Sequence, residues 1–116
     1  MSKVISIASS KGGVAKSTST VELAAVFKNM NYKVLVIDLD ENCSLSKNIG
    51  AELDTGRTIY EVLHGNVNVY DSIQHNDLFD VIVGSKSLSL VAQEFIDRDD
   101  VYLLADLTDI LKSDYD

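Results

Sequence analysis

The sequence predicts an α/β fold, a mostly parallel β-sheet with helices on its faces. Three observations predict it. Two short β-branched runs, Lys3-Val-Ile-Ser-Ile-Ala8 and Lys33-Val-Leu-Val-Ile-Asp38, are apolar almost throughout, as strands covered on both faces are. Between them, Lys16 to Asn31 places Thr20, Leu23, Ala24 and Phe27 at the i, i+3, i+4, i+7 spacing of a helix face. A glycine pair, Gly12-Gly13, joins the first run to that helix. Strand, Gly-rich loop, helix and strand make a βαβ unit, whose crossover is right-handed.

The remaining elements are shorter. Asn29 to Asn31 end the first helix, and Ser44 to Asn48 form one or two turns closed by Gly50. Thr58-Ile-Tyr-Glu61 reads as a capping box opening a short helix that Gly65 terminates. Asn68 to Gln74 is expected to be another short turn of helix, and Phe79-Asp-Val-Ile-Val83 a third strand ending in Gly84. Leu88, Val91, Ala92, Phe95 and Ile96 form a helical stripe. Asp100 caps a last helix carrying Val101, Leu104, Ala105, Thr108 and Leu111, with Lys112 near its negative end. There is no proline, repeat or internal linker, so residues 1–116 read as a single domain.

Composition narrows the function classes. Apolar residues make up 46% and charged residues 24%, both ordinary for a globular chain. No apolar run approaches membrane-spanning length, and no signal-peptide pattern opens the sequence, so no membrane partner is expected. A lone cysteine, Cys43, rules out a disulfide within the chain and fits a cytoplasmic protein. It is expected at a loop or helix start rather than as a ligand. The net charge of −8 is uneven: residues 1–70 carry seven basic and seven acidic side chains, residues 71–116 three and eleven. That acidic second half argues against a nucleic-acid footprint here, whereas Lys11 and Lys16 suit a small anion. His64 and His75 are expected to be solvated surface residues, and Met30 and the tyrosines packing residues.

The chemistry concentrates in Ser9-Ser10-Lys11-Gly12-Gly13-Val14-Ala15-Lys16-Ser17-Thr18. A loop between a buried strand and a helix start brings free backbone N–H groups to the positive end of the helix dipole. Gly12 and Gly13 let the backbone curl around an anion. Lys16 supplies a charge for β and γ phosphates, the Ser17 hydroxyl suits Mg²⁺, and Thr18 can donate toward an α phosphate. The Walker A pattern G-x-x-x-x-G-K-[ST] would require glycine at Ser10 and Ala15, so the loop departs from it twice. A dinucleotide site is the competing reading, because Asp38 closes the second strand where a ribose-binding acid would sit. No G-x-G-x-x-G supports it, and the Lys16-Ser17 pair favours a nucleoside triphosphate.

K-G-G-x-x-K-[ST], starting at Lys11, resembles the deviant Walker A loop of the ParA/MinD family of dimerising ATPases. "VLVIDLD" followed by "ENCSLSKNIG" resembles that family's second motif, with Asp38 and Asp40 matching its acids. "TIYEVL" and "DVIVGS" resemble the segments that follow, so the likeness runs along essentially the whole chain. It implies a three-layer, P-loop NTPase-like, mostly parallel sheet flanked by helices. It also implies an ATP- and Mg²⁺-dependent partition ATPase that dimerises on Mg-ATP and works with a ParB-type adaptor and non-specific DNA. Lys11 would reach the partner's nucleotide, while Gly12, Gly13, Val14, Ala15, Lys16 and Thr18 would wrap the phosphates. Ser17 would ligate Mg²⁺, Asp38 would support the metal without touching it, and Asp40 would orient the attacking water. Lys11, Lys16 and Asp40 are thus the expected catalytic residues.

Three departures from the family pattern stand out. Ala15 replaces a glycine, and Glu41-Asn42 replaces Pro-Gln. The Walker B strand would begin at about Tyr115 and lie between the first two strands, so residues 1–116 are expected to be the amino-terminal part of the domain, with exposed sheet edges. The alternative function is a shortened, hydrolysis-incompetent relative that binds nucleotide or a partner.

Overall fold

A computed structural model describes residues 3–5, 14–90 and 103–116. The helix predicted from the Thr20–Phe27 stripe is α1, Val14–Asn29. It ends where Asn31 takes a left-handed φ of 67°, a conformation asparagine tolerates better than most residues. The chain then returns as β1, Leu35–Ile37. Next come α2, Ser44–Asn48, α3, Ile59–Leu63, and α4, Val69–Ser72. Two strands follow, β2 at Ile73–His75 and β3 at Asp80–Ile82. A 3₁₀ turn over Lys86–Leu90 and α5, Leu103–Leu111, complete the described elements.

The strands form one mixed sheet in the order β1-β3-β2. β1 and β3 are parallel with Val36 opposite Val81; β2 and β3 are antiparallel with Gln74 opposite Val81. Because side chains alternate along a strand, the sheet separates two cores. Val36 and Val81 pack with Ala24 of α1, Leu45 of α2 and Phe79. On the other face Leu35, Ile37 and Ile82 pack with Ile59 and Val62 of α3, Val69 of α4 and Leu111 of α5. Helices thus cover both faces, as the apolar strand runs require.

The capping box forms as expected: the Thr58 side chain accepts from Tyr60 N–H, and the Glu61 carboxylate accepts from the Thr58 N–H at 3.1 Å. Past the helix, Gly65 adopts a φ of 76° and donates to the Val62 carbonyl, the left-handed helix stop that glycine permits.

The structure corrects several expectations. Asn68 to Gln74 is not helical throughout: α4 stops at Ser72 and Ile73–His75 extend as the edge strand β2. Its lateral support comes from Gln74, whose amide accepts from Glu52 N–H at 2.9 Å and donates to Glu52 O at 2.8 Å. Met30, Tyr32 and Tyr70 are exposed rather than packed; Tyr70 instead donates its hydroxyl to Asp114 at 2.7 Å. His64 is half-buried, its ring tilted against the Tyr60 ring with centroids 4.1 Å apart, while His75 is exposed as expected. In α5 the packed face is Leu107 and Leu111, an i, i+4 pair, with Ala105 exposed. Asp100 and the stripe residues from Val91 to Ile96 lie outside the described residues.

Of the first predicted strand only Lys3–Ile5 are described, and they join no strand ladder. Lys3 N–H donates to the Asp116 carbonyl at 2.7 Å, and Asp116 N–H donates to the Lys33 carbonyl at 2.8 Å. Asp116 therefore lies between the segment at Lys3 and the one leading into β1. Val4 and Ile5 remain exposed.

Candidate functional site

The site predicted from sequence has two parts, the start of α1 and the acids after β1. The connection from Met30 to Val34 is short, so α1 runs antiparallel to β1 and its first turn lies toward the carboxyl ends of β1 and β3. In open α/β sheets that is the edge at which ligands bind. Lys11, Gly12 and Gly13 lie outside the described residues; Val14, Ala15, Lys16 and Ser17 form the first turn of α1, and Thr18 follows, exposed. The first-turn N–H groups have no partner within their own helix and carry the positive end of its dipole. Ala15 takes a helical conformation there, which alanine adopts more readily than glycine.

Asp38 and Asp40 leave β1 at the same edge. Asp38 N–H continues the parallel ladder by donating to the Ile82 carbonyl at 3.0 Å. Its carboxylate is buried, at 5% exposure, a placement that costs several kcal/mol unless donors replace water (about this order). Three donors do so. Oδ1 accepts from Asp40 N–H at 3.1 Å, and Oδ2 accepts from Ser46 N–H at 3.1 Å and from the Ser46 hydroxyl at 2.6 Å. Asp38 is thereby committed to holding protein groups.

Asp40 is half-buried. Its Oδ1 accepts from Asn42 N–H at 3.1 Å, and Oδ2 has no protein donor among the described residues. Leu39 beside it is exposed. The loop then turns through Cys43, whose left-handed φ of 55° precedes α2 and whose N–H donates to the Asp40 carbonyl at 3.0 Å. Burial, and then the neighbouring Asp38 carboxylate, push the Cys43 thiol pKa up.

Two residues of this site escaped the sequence reading. Ser46 is fully buried, and its Oγ also accepts from Gly84 N–H at 3.2 Å. Gly84 sits so near the loop that an added Cβ would lie 2.9 Å from the Asp40 carbonyl oxygen and 3.2 Å from Asp38 Cγ. A serine eight positions past an aspartate carries no local signal, and only the parallel pairing of β1 with β3 brings Gly84 there.

The residue types suit a magnesium-bound nucleotide: a helix first turn for phosphate, with a serine in that turn as a hard oxygen ligand type for Mg²⁺. At the opposite edge of the sheet, a groove of 370 Å³ is lined by Gly50, Glu52, Gln74, His75 and Asn76. It lies at the start of β3, away from these groups. Among the described residues no helix is long and apolar enough to cross a membrane.

Comparison with known proteins bears on this arrangement. Residues 2–116 match the family described as "AAA domain". The chain is 30% identical over 95 residues to the sporulation initiation inhibitor protein Soj of Bacillus subtilis, covering 81% of this chain and 38% of Soj. It is 36% identical over 96 residues to the chromosome partitioning protein ParA of Caulobacter vibrioides, covering 79% of this chain and 36% of that one. The chain thus spans less than half the length of these relatives. In structure it resembles cobyrinic acid a,c-diamide synthase of Mycobacterium smegmatis, solved with an ATP analogue and magnesium. The TM-score is 0.84 at 27% identity, over 94% of this chain and 46% of the synthase. It also resembles a plasmid partition protein of Borrelia burgdorferi, with a TM-score of 0.80 at 33% identity, over 95% of this chain and 51% of that one.

Proposed function

The chain belongs to the AAA-domain family, with ParA/MinD-type P-loop ATPases as its relatives, and on that footing we propose that it is the amino-terminal part of an ATP-binding and ATP-hydrolysing partition ATPase. What supports the reading is the order of the elements: α1, with Lys16 and Ser17 in its first turn, leads by a short connection back into β1, and the loop bearing Asp40 leaves β1 at its carboxyl end. The placement of Asp116, hydrogen-bonded to Lys3 on one side and to Lys33 on the other, supports a further strand entering between those segments.

In this reading Mg-ATP supplies the phosphoryl group and its charge-neutralising ion, and the chain supplies position. The first-turn N–H groups and Lys16 hold the phosphates, with Gly12, Gly13, Val14, Ala15 and Thr18 completing the cradle. Ser17 offers its hydroxyl to Mg²⁺. Asp40 orients water through its open oxygen, and Asp38 stands behind it, fixing the Asp40 backbone. Lys11 serves the nucleotide of a second copy in a dimer formed on Mg-ATP. A ParB-type adaptor and non-specific DNA are partners of the intact protein, with the DNA surface outside residues 1–116; the surplus of acids in residues 71–116 would repel a phosphate backbone. The setting is cytoplasmic.

Lys16→Ala abolishes Mg-ATP binding in isothermal titration calorimetry; binding as tight as the parent's would refute the loop assignment. ATP turnover by the chain that vanishes in Lys11→Ala supports hydrolysis, whereas tight binding without turnover supports the reading of a nucleotide-binding module.

A further inference from the structure

Asp40 is useful as a water-orienting group only if its backbone is fixed, and the loop carrying it is not part of the sheet. What fixes it is a small buried polar cluster that joins the ends of two strands. Asp38 Oδ1 receives the Asp40 N–H. The other oxygen, Oδ2, is gripped by the hydroxyl and the N–H of Ser46 on α2. The same hydroxyl oxygen receives the N–H of Gly84 at the exit of β3. A Cβ added at Gly84 would lie 2.9 Å from the Asp40 carbonyl oxygen, closer than side chains tolerate without movement, and 3.1 Å from that of Asp38. Ser46 and Asp38 are fully or almost fully buried, so water does not substitute for either partner.

We infer that Ser46 is a positioning residue for Asp40: its hydroxyl, held between Asp38 and Gly84, locks the Asp38 carboxylate in the orientation that captures the Asp40 N–H. The packing requirement at Gly84 belongs to the same device, since it lets the exit of β3 approach the acid loop. A polar plug serving only general stability would hold the sheet and the loop alike. This device acts on the loop. The catalytic meaning of the inference rests on the proposed nucleotide site, but its geometry does not.

The test is amide hydrogen exchange by NMR on the ¹⁵N-labelled chain, without nucleotide. Ser46→Ala is expected to speed exchange at Asp40 and Gly84 about tenfold, the factor to which the net free energy of one hydrogen bond corresponds. The sheet amides of Val81 and Ile82 keep their parent rates. Ser46→Thr, which retains the hydroxyl, restores the Asp40 rate. Gly84→Ala, with hydroxyl and carboxylate intact, displaces the Asp40 resonance by crowding its carbonyl. Parent-like Asp40 exchange in Ser46→Ala overturns the inference, and so does loss of sheet protection together with the loop, because Ser46 would then be a general core residue. If Ser46→Ala loosens Asp40 alone while the parent chain shows no Mg-ATP binding by calorimetry, the positioning stands and the nucleotide reading falls.

Discussion

Cys43 shows how much one position's environment decides. Its side chain is 5% exposed, its Sγ donates to the Glu41 carbonyl at 3.7 Å, and burial followed by the Asp38 carboxylate raises its pKa. The thiolate is the nucleophile, so a raised pKa and restricted access both slow it. Reaction of the native chain with a disulfide reagent at pH 8 is expected to be at least about tenfold slower than after denaturation; equal rates would place the thiol in solvent. Tyr115 gives a second residue-scale prediction. Burial, and then the hydrogen bond its hydroxyl donates to Asp80 at 2.7 Å, raise its pKa above the ordinary value of about 10. The folded state thus holds this proton more tightly than the unfolded state. Its stabilisation is fully present below about pH 10 and is lost as pH rises toward the folded value. Thermal midpoints from pH 9 to 11 should fall less steeply in Tyr115→Phe than in the parent. At this scale the sequence identified Asp38 and Asp40 and gave them different roles, but not the contacts that set them apart. Those contacts come from Ser46 and Gly84, which tertiary pairing alone brings to the acids.

Among the elements, α1, α3 and the cores of β1 and β3 were legible because each carries its own signal: a helical spacing, a capping box, or an apolar run. β2 was not. A three-residue strand is too short to display a period, and what holds it is the pairing with β3 together with the reciprocal Gln74–Glu52 hydrogen bonds. Of the apolar stripe expected on α5, Leu111 is packed and Ala105 is exposed, because several spacings fit one short helix; contact with the core that holds Ile82 and Val69 adds Leu107 to Leu111. The clearest element-scale prediction concerns α3. Thr58 is 2% exposed, caps the helix through Tyr60 N–H and also donates its hydroxyl to Glu61 at 2.9 Å. Since Ile59 N–H bonds to the Val83 carbonyl, the cap anchors α3 to the end of β3. Thr58→Ala is expected to cost about 1–2 kcal/mol in urea unfolding, the range for a lost N-cap. A cost near zero would mean that the helix is held by packing alone.

The whole molecule is a sheet between two cores, and the carboxyl edge of the sheet is serviceable only while both cores hold β1 and β3 in register. The first core is anchored by α1 and α2, so the helix that begins at the loop and the helix that carries Ser46 bear on the same sheet face. The second is closed by α3, α4 and α5. This two-sided plan was readable from the apolar strand runs. The sheet order β1-β3-β2 was not, since it depends on an edge strand with no signal of its own. Leu111 tests whether the second core is an integral layer. It is 4% exposed, lies on the last turn of α5, and its carbonyl accepts from both Asp114 and Tyr115 N–H. It therefore joins the helix, the sheet face and the segment leading to Asp116. Leu111→Ala removes buried carbon and leaves a cavity, at a cost of about 2–5 kcal/mol, against a total stability of about 5–15 kcal/mol for a domain of this kind. The expected result is a much lower urea midpoint with one cooperative transition seen equally by far-UV circular dichroism and tyrosine fluorescence, because Tyr115 packs on that core. A loss below about 1 kcal/mol, or a tyrosine transition separating from the helical one, would show α5 to be a detachable cover, with the candidate site resting on the α1 face alone.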